Sequence, residues 1–99
     1  MFLAQVKGNV VATQKVGQVA GHKLLMVETY TLKDEQLGPA GLGLVAIDTV
    51  GAGVGEMVLI TQGSSARMTE FTGEMPVDAV IVGIIDTVTI AGKTAYHKE

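Results

Sequence analysis

The segment from Asp48 to Arg67 decides the fold, because it joins a glycine-rich turn, an apolar strand and the predicted start of a helix. It reads Asp-Thr-Val-Gly-Ala-Gly-Val-Gly-Glu over 48–56, Met-Val-Leu-Ile-Thr over 57–61 and Gln-Gly-Ser-Ser-Ala-Arg over 62–67. Glycine allows positive φ or the close approach of another chain, which side-chain-bearing residues adopt only at a cost. We therefore interpret the three alternating glycines as a geometric requirement at the start of a strand.

The rest of the chain predicts further strands and few helices. Apolar residues alternate from Phe2 to Ala12, a pattern typical of a half-buried strand. Further strands are predicted at 23–30, 44–47, 56–62 and 79–90, the last with a bulge or bend at Gly83. Residues 13–22 and 32–43 contain glycine, proline or charge and are predicted to be loops. Ser64 or Ser65 is predicted to cap one short helix ending near Gly73.

Two of the predicted strands are apolar on both faces. Val58, Leu59 and Ile60 are consecutive, and so are the residues 80–82. An antiparallel sheet normally has one face in water, so a strand that is apolar on both sides needs an outer cover. Hydrophobic residues make up 47% of the chain and charged residues only 17%, below the usual quarter. The surplus apolar surface predicts contact with another subunit.

Composition limits the possible partners and compartments. The 99 residues predict one domain, 1–99, and the absence of cysteine excludes disulfides and thiolate chemistry. A net charge of −3 without a Lys/Arg cluster argues against nucleic acid as a partner. The start of the sequence lacks a signal-peptide pattern, and the apolar runs are too short for a membrane span. We expect a cytoplasmic protein with no membrane partner.

The candidate catalytic residues do not form a recognisable site. Asp48-Thr49 and Asp86-Thr87 resemble the aspartic-protease turn, but valine follows each pair where those enzymes have glycine. The commoner role of such a pair is to bond local amides where a strand ends or bends. His22 and His97 are the only candidate bases, and they have no metal-ligand spacing with each other or with nearby carboxylates.

The remaining catalytic and cofactor patterns are also absent. The glycine segment leads into a strand, whereas a dinucleotide fingerprint leads into a helix. We predict no catalytic, cofactor-binding or metal-binding residues. Two functions remain open as alternatives to a structural role. One is a barrel that binds a small ligand or nucleic acid, and the other is a small homodimeric hydrolase.

Taken in order, these segments resemble the EutN/CcmL family of bacterial microcompartment vertex proteins. The resemblance covers the opening residues 1–13, residues 21–27 and, most specifically, Ala-Ile-Asp-Thr-Val-Gly-Ala-Gly-Val-Gly-Glu at 46–56. It continues in Gly-Ser-Ser-Ala-Arg at 63–67 and in the segment 76–88. The resemblance implies an all-β fold, a closed five-stranded barrel of the oligonucleotide-binding type with one short helix between strands 4 and 5.

The same resemblance implies a non-enzymatic shell protein, assembled as a cyclic homopentamer that caps the five-fold vertices of a microcompartment. Its implied partners are further copies of itself, hexameric shell proteins and, less directly, enclosed enzymes, and it implies no cofactor. The residues it places towards the five-fold axis are Gly63, Ser64, Ser65, Ala66 and Arg67. Those it places near a protomer contact are Asp48, Thr49, Val50, Gly51, Gly53 and Gly55.

Overall fold

The computed structural model describes residues 1–11, 22–62 and 79–98, and this part of the chain contains strands but no helix. In chain order the strands are β1 Phe2–Val10, β2 Lys23–Lys33, β3 Gln36–Asp48, β4 Met57–Gln62, β5 Ala79–Ile84, β6 Thr87–Ile90 and β7 Lys93–His97. The helix predicted from Ser64 or Ser65 to Gly73 lies outside the described residues, as does most of the predicted loop 13–22.

Five strands close into a barrel in the order β1-β2-β3-β5-β4, with β4 pairing back onto β1. Four of the pairings are antiparallel. The fifth, between β3 and β5, is parallel and short, joining Ile47 to Val80 and Asp48 to Ile81. Closure satisfies the strand edges that an open sheet would leave unpaired. The predicted all-β, five-stranded closed barrel is therefore confirmed.

The barrel interior is filled by alternating residues of its strands, together with Ala52 from the loop between β3 and β4. The buried cluster consists of Ala4, Val6, Leu25, Val27, Ala46, Ala52, Val58, Ile60, Ala79 and Ile81. Each is at most 4% exposed. Burying a valine or leucine side chain stabilises a fold by about 1.5–3 kcal/mol, so this cluster is the main source of stability. Val58 is 0% exposed, as a strand that is apolar on both faces requires, whereas Val82 on β5 is only partly buried.

The last barrel strand is shorter than predicted. Gly83 pairs with Leu59 and Ile81 with Ile60, so Val82 is an extra residue that forms the bulge expected near Gly83. The chain then leaves the barrel after Ile84, and 87–90 form a separate strand. The single strand predicted over 79–90 is therefore wrong. Its residues form two strands because the pairing with β4 ends where the chain turns away.

The segment 32–43 is a paired hairpin, so the predicted loop is wrong. β2 and β3 continue beyond the barrel as an arm, residues 31–42, and turn at Asp34 and Glu35, whose φ angles are 50° and 61°. Lys33 pairs with Gln36, directly flanking the two-residue turn. Most arm side chains are exposed, so the backbone forms a ladder without the apolar alternation that would have revealed it.

A second hairpin lies outside the barrel. β6 and β7 pair only with each other within the described part of the chain, and they are joined by a turn in which Ala91 and Gly92 have positive φ. An isolated two-stranded hairpin is marginally stable in water. This one is attached to the barrel at its base, where Lys98 reaches Glu56, just before β4, and Tyr96 reaches Met57, the first residue of β4.

Candidate functional site: the Asp48 loop

The Asp48 loop, residues 49–56 between β3 and β4, is held at its start by one buried carboxylate. Asp48 Oδ1 accepts hydrogen bonds from the amides of Val50 and Gly51, and Oδ2 accepts one from Ala52, each at 3.0 Å. Asp48 is only 6% exposed. The predicted role of this aspartate, to bond local amides where a strand ends, is confirmed.

Lys23 supports the same carboxylate from β2. Its Nζ lies 3.8 Å from Asp48 Oδ2 and donates to the carbonyl oxygen of Ala52 at 3.5 Å. Lys23 and Asp48 are also cross-strand partners in the β2–β3 ladder, which explains why the two side chains meet. Because the lysine side chain is 62% exposed, it neutralises the carboxylate while its own charge stays in contact with water.

Two of the three alternating glycines use the conformational freedom that the sequence predicts. Gly51 and Gly55 have φ angles of 81° and 93°, where a residue with a Cβ would be strained. The amide of Gly55 donates to the carbonyl oxygen of Val6 at 2.9 Å, and Val6 donates to that of Glu56 at 3.0 Å. These hydrogen bonds connect the loop to β1, in addition to the bonds that connect it to Asp48.

The end of the loop is fixed by Glu56 and the C-terminal hairpin. Glu56 Oε1 accepts a hydrogen bond from the amide of Gly53 at 2.6 Å, and Oε2 lies 2.9 Å from Lys98 Nζ. The hydrogen bond from Lys98, followed by that from Gly53, lowers the pKa of Glu56. The same contact raises the pKa of Lys98. Tyr96 adds a longer contact, 3.4 Å from its hydroxyl to the amide of Met57.

The fixed loop presents apolar side chains to solvent. Ala52 is 1% exposed and packs in the barrel core, whereas Val50 and Val54 are 39% and 65% exposed. Thr49, the first residue of the loop, connects it to β5, because its hydroxyl donates a hydrogen bond to the carbonyl oxygen of Ile81 at 2.7 Å. The hydrogen bonds therefore hold the exposed side chains of Val50 and Val54 in fixed positions, which suits contact with another molecule.

The geometry of the loop does not suit acid–base chemistry. The Asp48 oxygens accept three amide hydrogen bonds and face Lys23, so the carboxylate is engaged in holding its own loop. Within residues 1–11, 22–62 and 79–98, no three His, Cys, Asp or Glu side chains are grouped as metal ligands. The same ranges contain no helix long and apolar enough to span a bilayer.

The structure brings together one of the two predicted residue sets. Asp48 ends β3, and the other residues of this set follow it within the one loop: Thr49, Val50, Gly51, Gly53 and Gly55. Gly63, Ser64, Ser65, Ala66 and Arg67 lie outside the described residues. Sequence reasoning missed Lys98 and Tyr96, which are about forty positions away from the loop, and no local pattern links them to it.

Comparison with known proteins supplies the family. Residues 1–86 match the family model described as "Ethanolamine utilisation protein EutN/carboxysome". The microcompartment shell vertex protein EutN of Salmonella typhimurium is 46% identical over 98 residues, covering 99% of this chain and 96% of that protein. The chain belongs to the EutN/CcmL family. The carboxysome shell vertex protein CcmL of Synechocystis is similarly related, at 45% identity over 99% of this chain and 95% of its own length.

Solved structures agree with this assignment to the EutN/CcmL family. A structure of the ethanolamine utilization protein EutN superposes with a TM-score of 0.87 at 44% identity, covering the whole of both chains. GrpN from Rhodospirillum rubrum, described as a pentameric microcompartment shell protein, has a TM-score of 0.77 at 46% identity. That match covers 90% of this chain and 98% of GrpN.

Family membership answers several questions that the residues alone left open. The relatives are structural shell vertex proteins rather than enzymes, which confirms the prediction of a non-enzymatic protein and removes support from the hydrolase alternative. The relatives also associate this EutN/CcmL chain with the shell of a bacterial microcompartment.

Proposed function

We propose that this EutN/CcmL chain forms a cyclic homopentamer that caps the five-fold vertices of a microcompartment shell. The observation that carries the proposal is the similarity to GrpN, described as a pentameric microcompartment shell protein, which is 46% identical over 90% of this chain. Two further relatives are shell vertex proteins, and their similarity covers almost the full length of this chain. A flat layer of hexagonal units cannot close, and pentagonal units supply the curvature that seals it.

The surface of the chain supports self-association. Eight large hydrophobic residues are exposed in the described part: Met1, Val11, Met26, Leu32, Leu42, Val45, Val50 and Val54. A ring closes through a heterologous contact in which two different patches of one protomer meet two neighbours. The Asp48 loop suits such a contact, because its hydrogen bonds fix the two valines before binding and so limit the entropy lost on association.

We extend the proposal to the remaining features that the resemblance implies. Residues 1–99 form one vertex domain, and Gly63 to Arg67 lie towards the five-fold axis of the ring. Asp48, Thr49, Val50, Gly51, Gly53 and Gly55 lie near a protomer contact. The partners of the ring are hexameric shell proteins, and enclosed enzymes are a second, less direct partner.

Native mass spectrometry tests the ring. We expect an assembly of about five times the 10.3 kDa chain mass. Replacing Val50 and Val54 together by serine should weaken the ring while leaving the circular dichroism spectrum unchanged. A monomer, or another stoichiometry, in the unmodified protein would contradict the pentamer.

Co-assembly tests the capping role. The chain is mixed with a hexameric shell protein of the same microcompartment type, and the products are imaged by electron microscopy. Closed polyhedra in the presence of the chain, and open sheets or tubes without it, are expected. Polyhedra that close equally well in both mixtures would contradict the capping role.

A further inference from the structure

A cleft of about 440 Å³ lies between the turn of the arm and the C-terminal hairpin of β6 and β7. Residues 34–37 form one wall, and residues 90, 91 and 93–95 form the other. Its volume is within the range of about 300–1,000 Å³ that is typical of ligand-binding clefts. No residue of the Asp48 loop lines it, so it is a separate place from the proposed protomer contact. We call this space the hairpin cleft.

Both walls of the hairpin cleft contain the edge of a strand. Consecutive residues line it, Gln36 and Leu37 on β3 and Lys93 to Ala95 on β7, whereas the face of a strand would contribute only alternate residues. In the described part of the chain, β7 pairs only with β6, and β3 pairs only with β2 before Ile47. Each edge therefore offers backbone amide and carbonyl groups to a further strand.

The hairpin cleft carries more negative than positive charge. The side chains of Asp34 and Glu35 are on the arm wall, and Lys93 is on the opposite wall. All three side chains are exposed, and none of them forms an ion pair within residues 1–11, 22–62 and 79–98. Two carboxylates against one ammonium group favour a cationic occupant at the arm turn.

The two carboxylates occupy positions that suit other residue types. A two-residue turn between paired strands favours Asn-Gly, because both central residues need a positive φ. Asp34 and Glu35 adopt φ angles of 50° and 61° there, which cost a residue with a Cβ more than they cost glycine. Ala91, on the opposite wall, has a φ of 52°. Strained backbone is typical of functional sites, and here it borders one cleft on both sides.

We propose that the hairpin cleft binds an extended peptide segment of another protein, which inserts between β3 and β7 and directs lysine or arginine side chains towards Asp34 and Glu35. An extended backbone has donors and acceptors along both sides, so it can pair with two strand edges at once. The carboxylates then select the basic segment and fix its position along the cleft. The whole site belongs to one copy of the chain, so the inference does not require the ring.

Peptide titrations test the hairpin cleft. The probe is a fluorescein-labelled hexapeptide of alternating threonine and valine with two lysines at its amino end, and a second version has them at its carboxyl end, because either strand direction can pair with an edge. Fluorescence anisotropy follows binding to the 99-residue chain. In one control peptide glutamates replace the lysines, and in another the backbone amides are N-methylated. One lysine peptide should bind at least about tenfold more tightly than both of its controls.

Variants of the chain locate the bound peptide. Asp34→Asn combined with Glu35→Gln should weaken binding of the lysine peptide by about three- to tenfold, and Lys93→Gln should strengthen it by about twofold. The matched control is Asp86→Asn, because Asp86 is an exposed carboxylate outside the hairpin cleft, and it should leave binding unchanged. Absence of binding, equal binding of the control peptides, or equal weakening by Asp86→Asn would each overturn the inference.

Native mass spectrometry separates a peptide from a second copy of the chain as the occupant. If a second copy filled the hairpin cleft, the variant that combines Asp34→Asn with Glu35→Gln would change the mass of the assembly, and this result would overturn the inference. The expected result is an unchanged mass. A monomeric unmodified chain that still binds the lysine peptide would contradict the pentamer and leave the peptide site standing.

Discussion

The same two strands, β2 and β3, lie in two different environments, and the contrast separates what stabilises the fold from what merely extends it. Near the Asp48 loop they form barrel wall, where Leu25, Val27 and Ala46 are at most 1% exposed. Further along they form the arm, where Leu32 and Leu42 are 60% and 58% exposed. The hydrogen-bonded ladder spans both parts. Backbone pairing is thus common to wall and arm, and only the wall adds burial.

The largest expected effect is on the barrel wall. Val58→Asp places a carboxylate where the side chain is 0% exposed, and we expect a loss of about 4 kcal/mol or more in the free energy of unfolding. Leu32→Asp in the arm is the matched control and should change that free energy by less than about 0.5 kcal/mol. Urea titrations at one protein concentration, followed by circular dichroism, measure both. Equal losses would remove the distinction between wall and arm.

The next largest loss of stability is expected at Asp48, where β3 of the barrel wall ends and the Asp48 loop begins. Asp48→Ala removes the acceptor of three amide hydrogen bonds and should cost about 3 kcal/mol. Asp86 has the same Asp-Thr-Val context but is exposed, so Asp86→Ala should cost less than about 0.5 kcal/mol. The same urea titrations apply. If both variants lose the same stability, the Asp48 hydrogen bonds do not organise the loop.

A smaller effect, of opposite sign, is expected at the arm turn. Glu35 has a φ of 61°, which costs a residue with a Cβ about 1 kcal/mol, so Glu35→Gly should stabilise the protein by about 0.5–1 kcal/mol. Gln36 is the first residue of β3, and Gln36→Gly should give no such gain. Thermal unfolding measures the difference. A destabilised Glu35→Gly variant would mean that the turn is not held in the positive-φ conformation.

The smallest effect is the pH dependence of the Glu56–Lys98 pair at the base of the C-terminal hairpin. The pKa of Glu56 is lowered from its ordinary 4.5, so its stabilising contribution is complete above that value and disappears as the pH falls through the lowered pKa. The pKa of Lys98 is raised, so its contribution is present below the ordinary 10.5 and disappears as the pH rises through the raised pKa.

Glu56→Gln tests this pair, with unfolding compared between the variant and the unmodified protein from neutral to acidic pH. The small difference in stability should be constant near neutrality and shrink at acidic pH. Because both side chains are partly exposed, added salt should also reduce it. A difference that is independent of pH would show that the ion pair does not act on folding.

The sequence predicted the parts of the fold in which burial is periodic. Alternation identified β1, and apolar runs identified the wall portions of β2, β3 and β4. The arm was predicted as a loop because its side chains are exposed on both faces. Its sequence therefore lacks an apolar alternation and contains glycine, proline and charged residues, which are typical of loops. The parallel pairing of Ile47 with Val80, and the reach of Lys98 to Glu56, depend on long-range closure that no local window contains.

The candidate site was predicted unevenly for the same reason. The Asp48 loop was found because its glycines and its aspartate act on their own neighbours in sequence. Val54 acquires significance only when its exposure is known, since an apolar residue looks the same in sequence whether it is buried or not.

The two-residue turn at Asp34 and Glu35 has a practical consequence for visualising shells. It lies at the end of the arm, where the chain has left the barrel, and a peptide grafted between these residues adds only loop-closure entropy, which grows slowly with length. A fluorophore or affinity tag inserted there would mark each copy of the chain and leave the barrel ladder untouched. Counting such marks on purified shells gives the number of copies of the chain in each shell.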